Sequence, residues 1–152
     1  MITVAYIGFG VSVREYHIPY VENREDIKVK YVYRREEDIE ANALYEPYYP
    51  EIIFTTDLDQ VLKDEEVDLV VVNTPDIYHV SYAKQILNAG KHALVEKPFA
   101  PTAKEAREVF ELAKEKGLIC MPNQNRRFDG DFMALKSVLE SGKIGQMVRL
   151  ES

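Results

Sequence analysis

Val4-Ala5-Tyr6-Ile7-Gly8-Phe9-Gly10 decides the reading of this chain: an apolar run of strand-forming residues that ends in two glycines one residue apart. A strand buried on both faces of a sheet reads as continuous apolar sequence, and glycine lets the backbone behind it turn tightly and come close to a ligand. A helix starting next offers unpaired N–H groups and the positive end of its dipole to a phosphate. The dinucleotide-binding fingerprint wants a third small residue three positions on, and Val13 stands there. Gly-x-Gly by itself is therefore a weak signal, and the remaining strands must decide.

Moving outward, Val13, Tyr16, His17, Tyr20 and Val21 fall at helical spacing, with Pro19 set to bend, delay or shorten the helix. Val29 to Tyr33 is β-branched and aromatic, hence a second strand, ended by Arg34-Arg35. Glu36 to Pro50 reads as a short helix plus loop, and Ile52 to Thr55 as a brief strand. Asp57 is placed to cap a helix burying Leu58, Val61 and Leu62. Asp68 to Val72 is the plainest buried strand and stops at Asn73-Thr74-Pro75. Ile77, Val80, Ala83, Ile86 and Leu87 mark the next helix, closed by Gly90. The strand His92 to Val95 leads into Glu96-Lys97-Pro98. Thr102 with Glu105 has capping-box spacing before a stripe of Ala106, Val109, Phe110 and Ala113, and Gly117 ends that helix. Leu118 to Met121 is one more strand. Strands alternating with helices require a parallel sheet covered on both faces through right-handed crossovers, a doubly wound α/β domain. The last thirty residues break the alternation: Phe128, Phe132, Leu135 and Leu139 make an amphipathic helix, and Met147 to Leu150 begins a strand.

Length and composition set bounds. A chain of 152 residues suits one domain with a real core. Its net charge of −7 argues against a nucleic-acid or anionic-membrane surface. A single cysteine, Cys120, excludes an internal disulfide framework and a cysteine zinc site, which makes a reducing cytoplasm the default location. Within Leu118-Ile119-Cys120-Met121 it reads as a buried structural thiol. No apolar run is long enough for a membrane span, and the N-terminus starts directly with a strand rather than a signal peptide.

In an open parallel sheet, ligands bind beyond the carboxyl ends of the strands. Four such ends carry polar or turn-forming residues, namely Gly8-Phe9-Gly10, Arg34-Arg35, Asn73-Thr74-Pro75 and Glu96-Lys97-Pro98, and their convergence on one edge outweighs any single member. An acid ending the second strand would accept from the adenosine ribose of NAD, whereas a guanidinium pairs with the 2′-phosphate of NADP. Arg34 holds that position, with Arg35 as its neighbour, so NADP is favoured over NAD. Lys97 is the expected catalytic residue: a cation oriented by Glu96 on a turn fixed by Pro98, aimed into the cleft, stabilises the alkoxide-like oxygen that forms as hydride leaves or arrives. The bond before Pro98 suits a cis peptide. His79, His17 and His92 read as packing residues rather than catalysts. Tyr45, Tyr48 and Tyr49 pack locally, cover the adenine side, or form a protein contact.

These residues together resemble the glucose-fructose oxidoreductase / inositol dehydrogenase (Gfo/Idh/MocA) family. Gly8-Phe9-Gly10, Thr74-Pro75 followed by His79, Ala89-Gly90-Lys91-His92 leading to Glu96-Lys97-Pro98, and Arg126-Arg127-Phe128 carry the resemblance, which covers nearly the whole chain. Tyr16-His17-Ile18-Pro19-Tyr20 is similar to one bacterial subgroup. The resemblance implies an NAD(P)-dependent oxidoreductase acting on sugars, cyclitols or related alcohols. By position, Gly8, Phe9 and Gly10 cradle the pyrophosphate, and Thr74, Pro75 and His79 line the dinucleotide. Glu96 and Lys97 border the nicotinamide, Lys97 also touching substrate, and Asn125 and Arg126 face cofactor or substrate. No metal is implied.

Two departures are Val13 at the third small position, which implies a different start to the first helix, and Arg34 where many relatives have an acid. The resemblance also implies a second domain with the substrate pocket, the homo-oligomer interface and an Asp-x-x-x-His pair that this sequence does not contain. The expected organisation is therefore an NAD(P)-binding domain over 1–122, with 123–152 a connecting helix and the first strand of the absent domain. Such a chain binds cofactor but does not turn over substrate alone. A nucleotide-dependent sensor reusing the same fold is the competing reading. A methyltransferase has no use for Glu96-Lys97-Pro98 and expects an acid after the second strand.

Overall fold

The computed structural model describes residues 1–149 and 151. Six parallel strands form one sheet: β1 (Ile2–Ile7), β2 (Ile27–Tyr33), β3 (Ile53–Thr55), β4 (Leu69–Val72), β5 (His92–Val95) and β6 (Cys120–Pro122). Their order is β3-β2-β1-β4-β5-β6, a Rossmann-type doubly wound sheet. β1 lies centrally, Ile7 standing between Tyr33 of β2 and Val72 of β4. The strand order reverses there, which opens a crevice beyond the carboxyl ends of β1 and β4.

The period-two alternation of β1 feeds two cores, which is why its sequence is apolar throughout. Ala5 and Ile7 pack with Val70, Val72, Ile86 and Val109 on one face. Val4 and Tyr6 pack with Val13, Ile18, Val32 and Val71 on the other. Helices α3 (Leu58–Leu62), α4 (His79–Asn88) and α5 (Ala103–Glu115) follow the expected starts. Asp57 accepts from the Asp59 and Gln60 amides, and Thr102 Oγ1 from the Glu105 amide at 3.2 Å. Gly90 and Gly117 take the left-handed conformation behind α4 and α5. Within the α5 stripe Val109 and Ala113 are buried, while Phe110 stays 41% exposed and stacks on Phe99.

The segment behind the glycines is a π-helical turn, Val13–His17, running into the short α1 (Ile18–Val21). Pro19 has no N–H and its ring would crowd the carbonyl four residues back in an α-helix; the wider turn relieves both. The acidic and tyrosine-rich segment holds α2 (Ile39–Asn42) between two 3-10 turns, Glu36–Asp38 and Glu46–Tyr48. α6 (Gly130–Glu140) buries no side chain: of the stripe read as amphipathic, Phe128 and Phe132 are exposed and Leu135 and Leu139 only half-buried, with Met133 and Val138 exposed beside them. Met147–Arg149 form no strand and pair with no other strand among the described residues; Val148 is 97% exposed. Leu150, the rest of that expected strand, lies outside the described residues. Among the described residues, no helix is long and apolar enough to cross a membrane.

Candidate functional site

The glycine turn is built by the strand ends on either side. Gly8 has φ +99°, and its N–H donates to the Tyr33 carbonyl at 2.8 Å. A Cβ there would overlap the Asn73 carbonyl oxygen and stand 3.0 Å from its carbon, so β1 and β4 meet closely only because this residue is glycine. Gly10 differs: a Cβ on it meets nothing within 4 Å and its φ is not positive. Its missing side chain leaves room in the crevice.

That crevice is a cleft of about 440 Å³, lined by Gly8, Phe9 and Gly10 at one end, Arg34 and Arg35 at another, and Asn73, Thr74 and Pro75 along its floor. The volume lies within the usual range for small-molecule sites, roughly 300–1,000 Å³. Three guanidinium groups line it. Arg34 is 12% exposed and held by the Glu46 carboxylate, with Nη2 to Oε2 at 3.1 Å. Arg35 is bound by Asp38 at 2.9 Å and by Glu37. Arg14, which no sequence motif marks, has no acidic partner among the described residues. Its Nη1 donates to the Phe9 carbonyl at 2.6 Å, and its guanidinium carbon lies 3.9 Å from the Tyr45 ring centroid. Tyr33, Tyr78 and Tyr82 form an aromatic row on the far wall. Of the clustered tyrosines, Tyr45 joins the cleft, Tyr49 packs edge-on against Phe9 at 5.6 Å, and Tyr48 is exposed.

Glu96 and Lys97 stand on the same sheet edge but outside this lining. Glu96 orients the turn rather than the ammonium: its Oε2 accepts the Lys97 backbone N–H at 3.1 Å. Its Oε1 accepts from Asn123 Nδ2 at 2.7 Å and lies 2.8 Å from His17 Nε2. Burial pushes the Glu96 carboxyl up, and the hydrogen bonds from His17, Asn123 and the Lys97 amide outweigh it, drawing the group down to about 2. Lys97 itself is exposed, and its ammonium makes no hydrogen bond or ion pair among the described residues. It is absent from the lining of the cleft, and its bond to Glu96 is through the backbone. The Lys97–Pro98 bond is cis.

His79 is 1% exposed, with Nδ1 and Nε2 each 2.8 Å from a backbone carbonyl, of Pro98 and of Thr74. It joins the turns behind β4 and β5 and does not line the cleft. His92 Nδ1 accepts the Ile119 N–H at 3.0 Å, a structural role. Asn125 and Arg126 sit in an exposed 3-10 turn away from the cleft, where Arg126 pairs with Asp129 at 2.8 Å. The Cys120 thiol is pushed up to about 11 by burial, consistent with an inert structural cysteine. The site shows room for a nicotinamide dinucleotide: open space at Gly10, an uncompensated guanidinium at Arg14, and a buried Asn73 Oδ1 without a partner.

A family model described as an oxidoreductase family with an NAD-binding Rossmann fold matches residues 2–124. The oxidoreductase YhhX of Escherichia coli is 52% identical over 153 residues, covering 100% of this chain and 44% of its own length. A crystal structure of an oxidoreductase from Bacillus cereus superposes with a TM-score of 0.88 at 45% identity, over 97% of this chain and 42% of that one. The scyllo-inositol 2-dehydrogenase (NADP(+)) IolW of Bacillus subtilis is 28% identical over 94% of this chain and 38% of its own length. The chain thus spans less than half the length of the relatives it matches.

Proposed function

The chain belongs to the oxidoreductase family with an NAD-binding Rossmann fold, Gfo/Idh/MocA, and from that premise we propose that it is the cofactor-binding part of a dehydrogenase or reductase of sugars, cyclitols or related alcohols and carbonyl compounds. The observation that carries the reading is the single cleft in which the glycine turn, the arginines behind β2 and the Asn73-Thr74-Pro75 turn meet. A bound nicotinamide dinucleotide supplies or accepts the hydride. In this reading Gly8, Phe9 and Gly10 take the pyrophosphate, with Gly10 leaving space for it. Thr74 and Pro75 line the dinucleotide from below, and His79 supports them through the Thr74 carbonyl. Glu96 holds the Lys97 turn, and the exposed Lys97 ammonium stabilises the oxygen that becomes negative as hydride departs from or reaches its carbon.

NADP is the favoured form. Arg34 and Arg35 end β2 where an acid would select NAD, and Arg14 adds a charge with no carboxylate of its own. The similarity to the NADP(+)-dependent scyllo-inositol 2-dehydrogenase of Bacillus subtilis supports both this cofactor and a cyclitol-type substrate. Residues 1–122 form the cofactor domain of the proposal, and 123–152 lead out of it. The substrate pocket, the homo-oligomer interface and the acid–base pair belong, in the same proposal, to the remainder of a longer protein, so this chain alone binds cofactor without turnover.

Fluorescence titration with NADPH and NADH tests the reading. NADPH is expected to bind tightly, with Arg34→Ala and Arg14→Ala each weakening NADPH more than NADH, by about tenfold for loss of one charge-assisted hydrogen bond. Equal loss for both nucleotides would refute the 2′-phosphate assignment, and no binding of either would refute the cofactor role.

A further inference from the structure

His17 lies outside the cleft and the reading above gives it no task, yet it is the centre of a buried polar cluster. It is 9% exposed, and the Glu96 side chain beside it 15%. Its Nε2 stands 2.8 Å from Glu96 Oε1 and 3.3 Å from both Asn73 Nδ2 and Asn123 Nδ2. An ionised carboxylate only accepts, so the hydrogen must sit on His17 Nε2 and point at Glu96. The two amides then donate elsewhere: Asn123 to Glu96 Oε1 at 2.7 Å, Asn73 to Ser12 Oγ at 2.9 Å. Four segments meet here, the π-helical turn behind the glycines and the ends of β4, β5 and β6; His17 and Asn123 converge on one oxygen of the Glu96 carboxylate, and its second oxygen holds the Lys97 N–H. The π-helical turn Val13–His17 bears on the same point. A widened turn changes the direction of the side chains that follow, and such turns recur at functional sites; this one ends at the residue that meets Glu96.

We propose that His17 is a positioning residue for Lys97: by donating from Nε2 to Glu96 it locks, together with Asn123, the carboxylate that fixes the Lys97 backbone. His17 touches neither cofactor nor reacting atoms and acts through Glu96 alone. The assignment rests on Lys97 being the catalytic cation of the proposed oxidoreductase. Its geometric part, the dependence of the Lys97 turn on His17, stands independently of that role. Glutamine at this position keeps a donor of similar reach, whereas leucine fills the volume with none.

The test uses this chain with His17→Leu and His17→Gln, read by amide hydrogen exchange at Lys97, by thermal unfolding, and by titration with NADPH and with 2′,5′-ADP, which lacks the nicotinamide half. In His17→Leu the Lys97 amide is expected to exchange about tenfold faster, as for the loss of a hydrogen bond to a charged group. NADPH affinity should fall while 2′,5′-ADP affinity is unchanged, and His17→Gln should restore both readouts. Unchanged Lys97 exchange in a folded His17→Leu variant, equal loss of both ligands, or failure of His17→Gln to rescue would overturn the proposal. If His17→Leu does not fold, His17→Asn, a donor too short to reach Glu96, replaces it under the same criteria. Wild-type protein that binds neither ligand would sink the cofactor reading, and the exchange rates would still decide the role of His17.

Discussion

Replacing Gly8 and Gly10 in turn by alanine separates what the turn needs in order to fold from what it needs in order to bind. At Gly8 two penalties combine. The backbone at φ +99° is one that side-chain-bearing residues avoid, at a cost of about 1–3 kcal/mol. The added methyl also overlaps the Asn73 carbonyl, which cannot swing away cheaply because the Asn73 N–H is bonded to the Ile7 carbonyl at 2.8 Å. Forced separation of packed groups adds about 1–3 kcal/mol. The sum, about 4 kcal/mol, is a large part of a domain's stability and corresponds to a fall in Tm of roughly 10 °C for a chain of this size. Gly10→Ala meets no neighbour and no positive φ, so its effect on stability should stay within about 0.5 kcal/mol. Its methyl nevertheless occupies the space assigned to the pyrophosphate, and NADPH affinity should drop at least about tenfold, or 1.4 kcal/mol. Circular dichroism melts and NADPH titration on the two variants read the contrast. A Gly8→Ala melt within about 2 °C of wild type, or a Gly10→Ala variant that binds like wild type, would refute the reasoning.

Acid should destabilise the protein through two carboxylates. Glu96 and Asp64 are both drawn down to about 2, the latter chiefly by the Lys30 ammonium, so the unfolded chain takes up their protons at higher pH than the folded one. Stability is thus fully present above the ordinary carboxylate range and is lost as pH falls from about 4.5 toward 2. Denaturant titrations across that range should show it, and Glu96→Gln should be less stable at neutral pH with a shallower acid loss; an unchanged slope would argue against the His17–Glu96 bond. Removing the α5 cap with Thr102→Ala should cost about 1 kcal/mol in the same assay, and no change would mean that the 3.2 Å bond to the Glu105 amide contributes nothing.

The architecture was legible because the sheet is buried on both faces. Val4–Ile7 and Leu69–Val72 cannot be placed elsewhere than in the middle of a parallel sheet, and Asp57, Thr102, Gly90 and Gly117 mark helix ends through local chemistry that sequence spacing preserves. The four polar strand ends could be assigned to one edge by topology alone. The partners that those ends select could not. His17 meets Glu96 across 79 positions and Asn123 across 106, and no local pattern announces either contact. Arg34 is legible as a guanidinium at the end of β2, but nothing local announces that Glu46, across a loop, is the carboxylate that holds it. Nothing local marks Arg14 either: its bond to the Phe9 carbonyl lies within the turn behind the glycines, but its seat on Tyr45 exists only once the loop behind β2 folds over that turn. At the other end of the chain, the spacing of Phe128, Phe132, Leu135 and Leu139 correctly announced a helix but said nothing of whether its apolar side would be covered.

That open side gives the chain a colloidal character of its own. Phe128, Phe132, Met133, Val138, Ile144, Met147 and Val148 gather exposed hydrocarbon along the final stretch, while the net charge of −7 keeps like molecules apart. The repulsion reaches about 10 Å at 0.1 M salt and only about 3 Å at 1 M, whereas attraction between hydrocarbon surfaces is not screened. Added salt therefore removes the repulsion between like molecules and leaves the attraction of this exposed hydrocarbon in place.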